Sequence, residues 1–397
     1  MTLTLKLPRS NGVLENYRLS GRTANPGSAG AGRFNRLAYS AAHVVADPYA
    51  DIDPSSQCAV DWDATLAYRK RLWSLGLGVA EAMDTAQRGM GLDWPTSLQL
   101  IDYTLQAARD VPGADVVSGC GTDHLPPDAA RRIDDVIAAY ELQMEAIEKL
   151  GGRLIIMASR ALARVAKTPD DYLRVYDRIL SQSREPVVLH WLGEAFDPAL
   201  AGYWGTADLD EAMDHAIAVI AAHPEKVSGI KISLLDKDKE IAMRRRLPAG
   251  VRMFTGDDFN YAELIAGDGQ GSLPNHGHSD ALLGIFDAIA PAASAALTAL
   301  GAGDEARFKA ILEPTVAVSR HIFQAPTRFY KTGIVFLAWL NGHQSHFSMV
   351  GGQQSMRGLP HLAELLRLAD NAGLLEDPEL AAQRMRVLLA AHGVGDA

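Results

Sequence analysis

Lys231 interrupts Val227-Ser-Gly-Ile-Lys-Ile-Ser-Leu-Leu, an otherwise apolar run of the kind that forms a strand buried on both faces. Burial disfavours an ammonium and yields a nucleophilic amine able to form a Schiff base with a carbonyl carbon. The same lysine could instead extend to solvent or pair with Asp257. His190 ends a second buried run, Pro186-Val-Val-Leu-His, where an imidazole either moves protons near neutral pH or bonds a backbone carbonyl. Asp257 and Asp258 follow Phe254-Thr-Gly256; they can orient the lysine and a substrate hydroxyl, or start a helix as N-terminal carboxylates. Asn275, His276 and His278 lie in a Gly-bearing polar turn that reads as a substrate-facing loop. With Asp123 and His124 across a shared mouth, the two histidines offer an alternative, a divalent-metal site. Cys120, in Ser118-Gly-Cys-Gly-Thr122, reads as a small packing residue, because a reactive thiol needs a nearby cation.

These residues fall at regular places in the chain. Short β-prone runs alternate with segments of helical period: 36–45 then 62–75, 78–83 then 95–109, 115–119 then 133–150, and 154–157 then 170–182. The pattern continues with 186–191 then 209–222, 227–233 then 236–246, 251–255 then 261–266, and 271–273 then 281–300. Eight strand–helix units imply right-handed βαβ connections closing into a (β/α)8 TIM barrel, whose chemistry belongs at the C-terminal ends of the strands. An open doubly wound sheet is disfavoured, since no Gly-x-Gly-x-x-Gly turn follows the first strand. Before the barrel, two alternating runs joined through Asn11-Gly12 predict a β-hairpin, followed by a Gly/Ala/Ser/Pro linker. The expected division is a hairpin and linker over 1–32, the barrel over 33–300, and a helical extension over 301–397.

Composition narrows the function classes. The 397 residues are 48% hydrophobic and carry 38 basic against 48 acidic side chains, a net charge of −10, which argues against nucleic-acid or anionic-membrane partners. Two cysteines cannot staple a fold of this size, so a reducing cytoplasm is expected. The N-terminus lacks a charged-then-apolar leader, and the longest apolar run contains Asp287 and Pro291, so neither a signal peptide nor a membrane span is expected.

The strand-end windows resemble, in order, the dihydrodipicolinate synthase and N-acetylneuraminate lyase superfamily of class I aldolases. Gly229-Ile-Lys231 is similar to that family's lysine strand, Pro186 to Trp191 to its fifth strand, Thr255-Gly-Asp-Asp258 to its seventh-strand segment, and Ser118 to Thr122 to its glycine-rich third-strand end. The run from Arg328 to Leu340 is similar to the start of one of its C-terminal helices. The resemblance implies a barrel with a helical extension, a lysine imine on a keto acid such as pyruvate with no cofactor, and a homodimer or homotetramer. Lys231 would be the Schiff-base lysine, with Asp84, Thr85, Cys120, Gly121, Thr122, Ser159, Gly256, Asp257, Asn275 and His276 around the substrate.

The departures shape the functional expectation. His190 stands where the family usually has a proton-relaying tyrosine. Met83-Asp84-Thr85-Ala86-Gln87 replaces a Gly-Thr-Thr-Gly-Glu turn, and Leu192-Gly-Glu194 replaces an arginine that holds a second carboxylate. A longer segment, 195–207, follows with Tyr203 and Trp204. The expected activity is therefore a lyase making or breaking a C–C or C–O bond on a keto acid or keto-sugar, with a neutral sugar-like carbonyl compound preferred, and not dihydrodipicolinate synthesis. Alternatives are a metal-dependent sugar isomerase, epimerase or lyase, and a non-catalytic sugar-binding protein.

Overall fold

A computed structural model of the chain describes residues 3–23, 34–83 and 87–395. β1 (Thr4–Pro8) and β2 (Leu14–Arg18) pair antiparallel, with Gly12 in the left-handed region of the turn at φ +81°. Eight further strands close a parallel barrel in chain order: β3 (Ala38–Ser40), β4 (Gly78–Glu81), β5 (Val116–Cys120), β6 (Arg153–Met157), β7 (Val187–Leu192), β8 (Val227–Ser233), β9 (Arg252–Thr255) and β10 (Asp280–Leu283), which returns to β3. The outer layer comprises α1 (Trp62–Ser74), α2 (Trp94–Arg109), α3 (Ile133–Lys149), α4 (Arg160–Val165), α5 (Pro169–Gln182), α6 (Leu209–Ala222), α7 (Lys237–Arg244), α8 (Tyr261–Ala266) and α9 (Ala290–Gly301).

Local chemistry starts these helices where they start. Asp61, Asp93, Asp208 and Asp236 accept main-chain N–H groups at the first turns of α1, α2, α6 and α7. Inside the barrel, Tyr39, Ala41, Ala80, Met83, Val117, Ile155, Met157, Val188, Phe254 and Leu282 form one packed core. Small residues face large ones across it: a Cβ at Gly78 would lie 2.5 Å from the Tyr39 ring, and one at Gly229 2.6 Å from the Phe254 ring. The residues between these positions turn outward to the helices, as Val79, Leu189, Ile230 and Ile232 do.

After the barrel come α10 (Glu305–Ile322), α11 (Tyr330–Leu340), α12 (Leu359–Asn371) and α13 (Pro378–Ala391). Every residue of α11 is buried, and it carries Lys331 to the barrel. The hairpin docks on these last helices: the Tyr17 hydroxyl donates to Asp370 at 2.7 Å, and Arg367 donates to the carbonyls of Leu7 and Pro8. Among the described residues, no helix is long and apolar enough to cross a membrane.

One element lies elsewhere than the sequence pattern indicates. The eighth strand is Asp280–Leu283, not 271–273, and the helix expected over 281–300 begins only at Ala290. A strand with only three apolar residues, Ala281–Leu283, all buried, has no periodicity of its own, so beside an Ala-rich stretch it merges with the helix that follows.

Candidate active site

Lys231 sits on the inward face of β8, pairing in register with His190 on β7 and Phe254 on β9, and only 3% of its surface is exposed. Its aliphatic stem passes over Gly256, where a Cβ would lie 2.8 Å from Lys231 Cε and 2.3 Å from Ser233 Oγ. Gly256 is thus the residue that makes room for the lysine, and its part in the site is steric. His190 Nε2 lies 3.3 Å from Ser233 Oγ, two residues beyond Lys231 on the same face. Burial, and after it the Lys231 charge, push the His190 pKa well below 6.5, so the ring is neutral at physiological pH.

Beside this pair, Thr122 and Ser159 share a 2.6 Å hydrogen bond between buried hydroxyls at the ends of β5 and β6. Ser159 Oγ also accepts Leu162 N–H at the start of α4, and its own N–H donates to the Tyr203 hydroxyl at 3.1 Å. The Gly121 N–H donates to Gln143 Oε1 at 2.7 Å. The two aspartates divide their roles. Asp257 accepts the N–H groups of Phe259 and Asn260 and so turns the chain after β9. Asp258 reaches across to accept Ile285 N–H at 2.9 Å, and burial raises its pKa to about 7 against the opposing pull of Lys231.

Several expected site residues lie apart from this centre, and Asp84 and Thr85 lie outside the described residues. Asn275, His276 and His278 precede β10, at the N-terminal end of the barrel. There Asn275 donates to the carbonyls of Pro248 and Val251, His276 Nε2 contacts the Leu247 carbonyl, and Arg244 donates to the His276 carbonyl. They brace loops at the face opposite the mouth, so the suggested quartet of His276, His278, Asp123 and His124 is split between the two ends. Asp123 is instead held by Arg88 at 2.7 and 2.9 Å, and His124 lies 2.9 Å from Gln143. Among the described residues no group of three or more His, Cys, Asp or Glu side chains is arranged to hold a metal ion. Cys120 has the packing role that its glycine-rich context suggests, and not the substrate-facing place that the resemblance implies. Strand alternation turns it outward against Tyr140 of α3, and burial pushes its thiol pKa up. Tyr203 and Trp204, expected to face a sugar, are buried in a ring cluster with Tyr172 and Tyr176.

A family model described as "Protein of unknown function (DUF993)" matches residues 5–394. The chain belongs to the DUF993 family. No curated protein matches it. Solved structures supply the fold. An E. coli K12 prophage protein of the dihydrodipicolinic acid synthase family, in complex with pyruvate, is 14% identical with a TM-score of 0.65, over 86% of this chain and 100% of that one. Dihydrodipicolinate synthase from Acinetobacter baumannii, complexed with pyruvate, is 16% identical with a TM-score of 0.61, over 85% and 99%. The Aquifex aeolicus enzyme is 10% identical with a TM-score of 0.59, over 90% and 98%. This DUF993 chain therefore shares the barrel fold of those structures, and the resemblance carried by its strand-end motifs holds at the level of the fold.

The DUF993 mouth also holds a polar cluster that strand-by-strand reading passes over. His43, just past β3, has Nδ1 2.9 Å from Asp287 and Nε2 3.2 Å from Gln344. Lys331 donates to Asp287 at 2.8 Å and to the Ala41 carbonyl. Burial opposes ionisation of Asp287, yet His43 and Lys331 hold its carboxyl far below the usual range. Next to them Arg69 grips Glu81 at 2.8 and 2.9 Å and donates to the His43 carbonyl. His43 is a strand-end residue and so was visible in the sequence, but its partners come from 244 and 301 residues away.

Proposed function

We propose that the protein is an aldolase-like lyase in which Lys231 forms an imine with a small carbonyl compound. The observation that carries this reading is the in-register placement of a buried lysine and a neutral imidazole on neighbouring strands of this barrel, with Gly256 clearing the lysine's path. Lys231 Nζ adds to the carbonyl carbon, and water leaves to give the iminium, which draws electrons from the bond beside it. In the cleavage direction, His190 takes the proton of the hydroxyl on the departing carbon, the C–C bond breaks to an aldehyde and an enamine, and protonation followed by hydrolysis returns Lys231. The neutral state of His190 suits it to accept that proton. Thr122 and Ser159 offer hydroxyls for orienting the substrate. Imine chemistry asks for no cofactor beyond the lysine. The reading extends to a reducing, cytoplasmic location, with which the two free cysteines, Cys58 and Cys120, agree, and, by the resemblance alone, to a homodimer or homotetramer.

Borohydride reduction in the presence of a panel of keto acids, keto-sugars and their phosphates, followed by peptide mass spectrometry, tests it. An adduct on Lys231 is expected for at least one compound. An adduct-free protein across the panel, with turnover retained in Lys231→Ala, overturns the imine mechanism.

A further inference from the structure

A cavity of about 420 Å³ opens beside the barrel mouth between the ends of β6 and β7 and the start of α11. That volume lies in the range of small-molecule sites. Its wall includes Leu192, the last residue of β7, two positions beyond His190 on the inward face, and Tyr330, whose ring lies over Gly284 just past β10. An adjoining cleft shares Arg160, Leu192 and Asp197 with it and reaches Thr122 of the hydroxyl pair. Through Leu192 the cavity wall reaches the inward layer beyond His190, the side toward which the far end of a substrate held at Lys231 would extend.

Its charge runs against the sign of the protein. The wall carries two guanidiniums, Arg160 and Arg328, against one carboxylate, Asp197. Arg160 gives only Nε to Asp197, and its NH1 lies beside Gly89, where a Cβ would be 3.4 Å away. Arg328 stacks on the Phe329 ring at 4.7 Å and makes no hydrogen bond or ion pair among the described residues. Gln353 Oε1, also on the wall, is a buried acceptor without a donor among the described residues, which suits a hydroxyl. The acidic residues near the mouth do not oppose an anion, because Asp123 is neutralised by Arg88 and Asp197 by Arg160.

We propose that this cavity binds an oxyanion, a carboxylate or a phosphate, at the end of the substrate away from its carbonyl, with Arg328 and Arg160 as donors. The substrate class is thus an acidic, hydroxyl-bearing carbonyl compound in place of a neutral sugar. The guanidinium of Arg328, unpaired among the described residues, with the outer nitrogens that Arg160 does not give to Asp197, favours planar or tetrahedral oxyanions geometrically as well as by charge. The assignment of the anion to a substrate rests on the lyase reading, but the anion site does not, since it can be tested without Lys231.

Inorganic phosphate and glycolate are titrated by calorimetry at low ionic strength into the full chain and into Lys231→Ala. One of the two saturates at one site in both proteins, phosphate marking a phosphorylated substrate and glycolate a sugar acid. Arg328→Gln weakens that binding about tenfold, the loss of one charge-assisted interaction, and Arg328→Lys weakens it less. Arg328 is exposed, so neither change threatens folding, which circular dichroism checks. Saturation by neither anion, or equal affinity in natively folded Arg328→Gln, overturns the site. Anion binding that persists while no borohydride adduct forms would sink the lyase reading and leave the anion site standing.

Discussion

Lys231 and His190 face each other in register on β8 and β7, and the charge of the lysine adds to burial in keeping the imidazole neutral. In the proposed mechanism the proton relay next to the imine must be empty of its proton when the hydroxyl is deprotonated, and a neutral His190 meets that requirement. His190→Gln should therefore lower kcat by about 10²- to 10⁴-fold, the usual worth of a positioned acid–base group, while Lys231 still forms its reduced adduct. Comparing turnover with adduct yield checks this, and a variant with normal turnover removes His190 from the mechanism.

The same depressed pKa makes a stability prediction. The unfolded chain takes up a proton on His190 near pH 6.5, which the folded chain refuses, so the folded state loses stability as pH falls below that value and has the full contribution above it. The loss is at most about 1.4 kcal/mol per pH unit. Urea unfolding of the wild type and His190→Gln at pH 7 and pH 5.5 should show the wild type falling further. Parallel behaviour would place an ordinary histidine at this position.

Asp258 gives the opposite sign. With its pKa raised to about 7, the folded protein holds a proton there that the unfolded chain releases near the ordinary carboxylate value. Stability is present below the unfolded pKa and is lost as pH rises through 7. Asp258→Asn keeps an oxygen for Ile285 N–H and does not titrate. Its stability relative to the wild type should thus increase by up to about 1.4 kcal/mol per pH unit between pH 4 and 7, then level off. A difference that does not change with pH contradicts a protonated Asp258.

The parts of this site that were legible in the sequence are those that depend on short-range pattern. Val227–Ser233 is a strand at the residues its apolar run marks, and with it Lys231 is placed. Cys120 packs as its glycine-rich context suggests, and the substrate-facing place implied by the resemblance fails for a reason also present in the pattern: Gly119 and Gly121 face inward, so period two must turn the residue between them outward. The displaced Asn275, His276 and His278 all follow from one error, the eighth strand drawn some nine residues early, which moves a loop from one end of the barrel to the other. The His43–Asp287–Lys331 cluster and the arginine-lined cavity depend on contacts between distant segments, which no local pattern encodes.

Gly256→Ala tests the steric account of the lysine. The added methyl would meet the Ile232 carbonyl at 2.5 Å as well as Ser233 and Lys231, and main chain cannot swing aside as a side chain can. Overpacking of this kind costs about 1–3 kcal/mol, and here it should also displace Lys231 Nζ and abolish borohydride trapping. Denaturant titration and adduct yield are measured together. A variant that is destabilised yet trapped at the normal level would show that Gly256 serves the fold and not the lysine.

Asp287 ties the extension to the barrel, since its carboxylate joins His43 at the end of β3 to Lys331 on α11. Removing it alone in Asp287→Ala leaves a buried ammonium without its counter-charge and His43 N–H without an acceptor, a loss of about 3–5 kcal/mol. Lys331→Met should cost less, because the carboxylate keeps His43 and the main-chain N–H of that residue. In the double variant the unpaired ammonium is gone, so the combined loss should fall short of the sum of the two. A double-mutant cycle by urea unfolding measures this coupling. Additive losses would mean that α11 is held by its apolar surface alone and that the ion pair adds nothing to the docking of the extension.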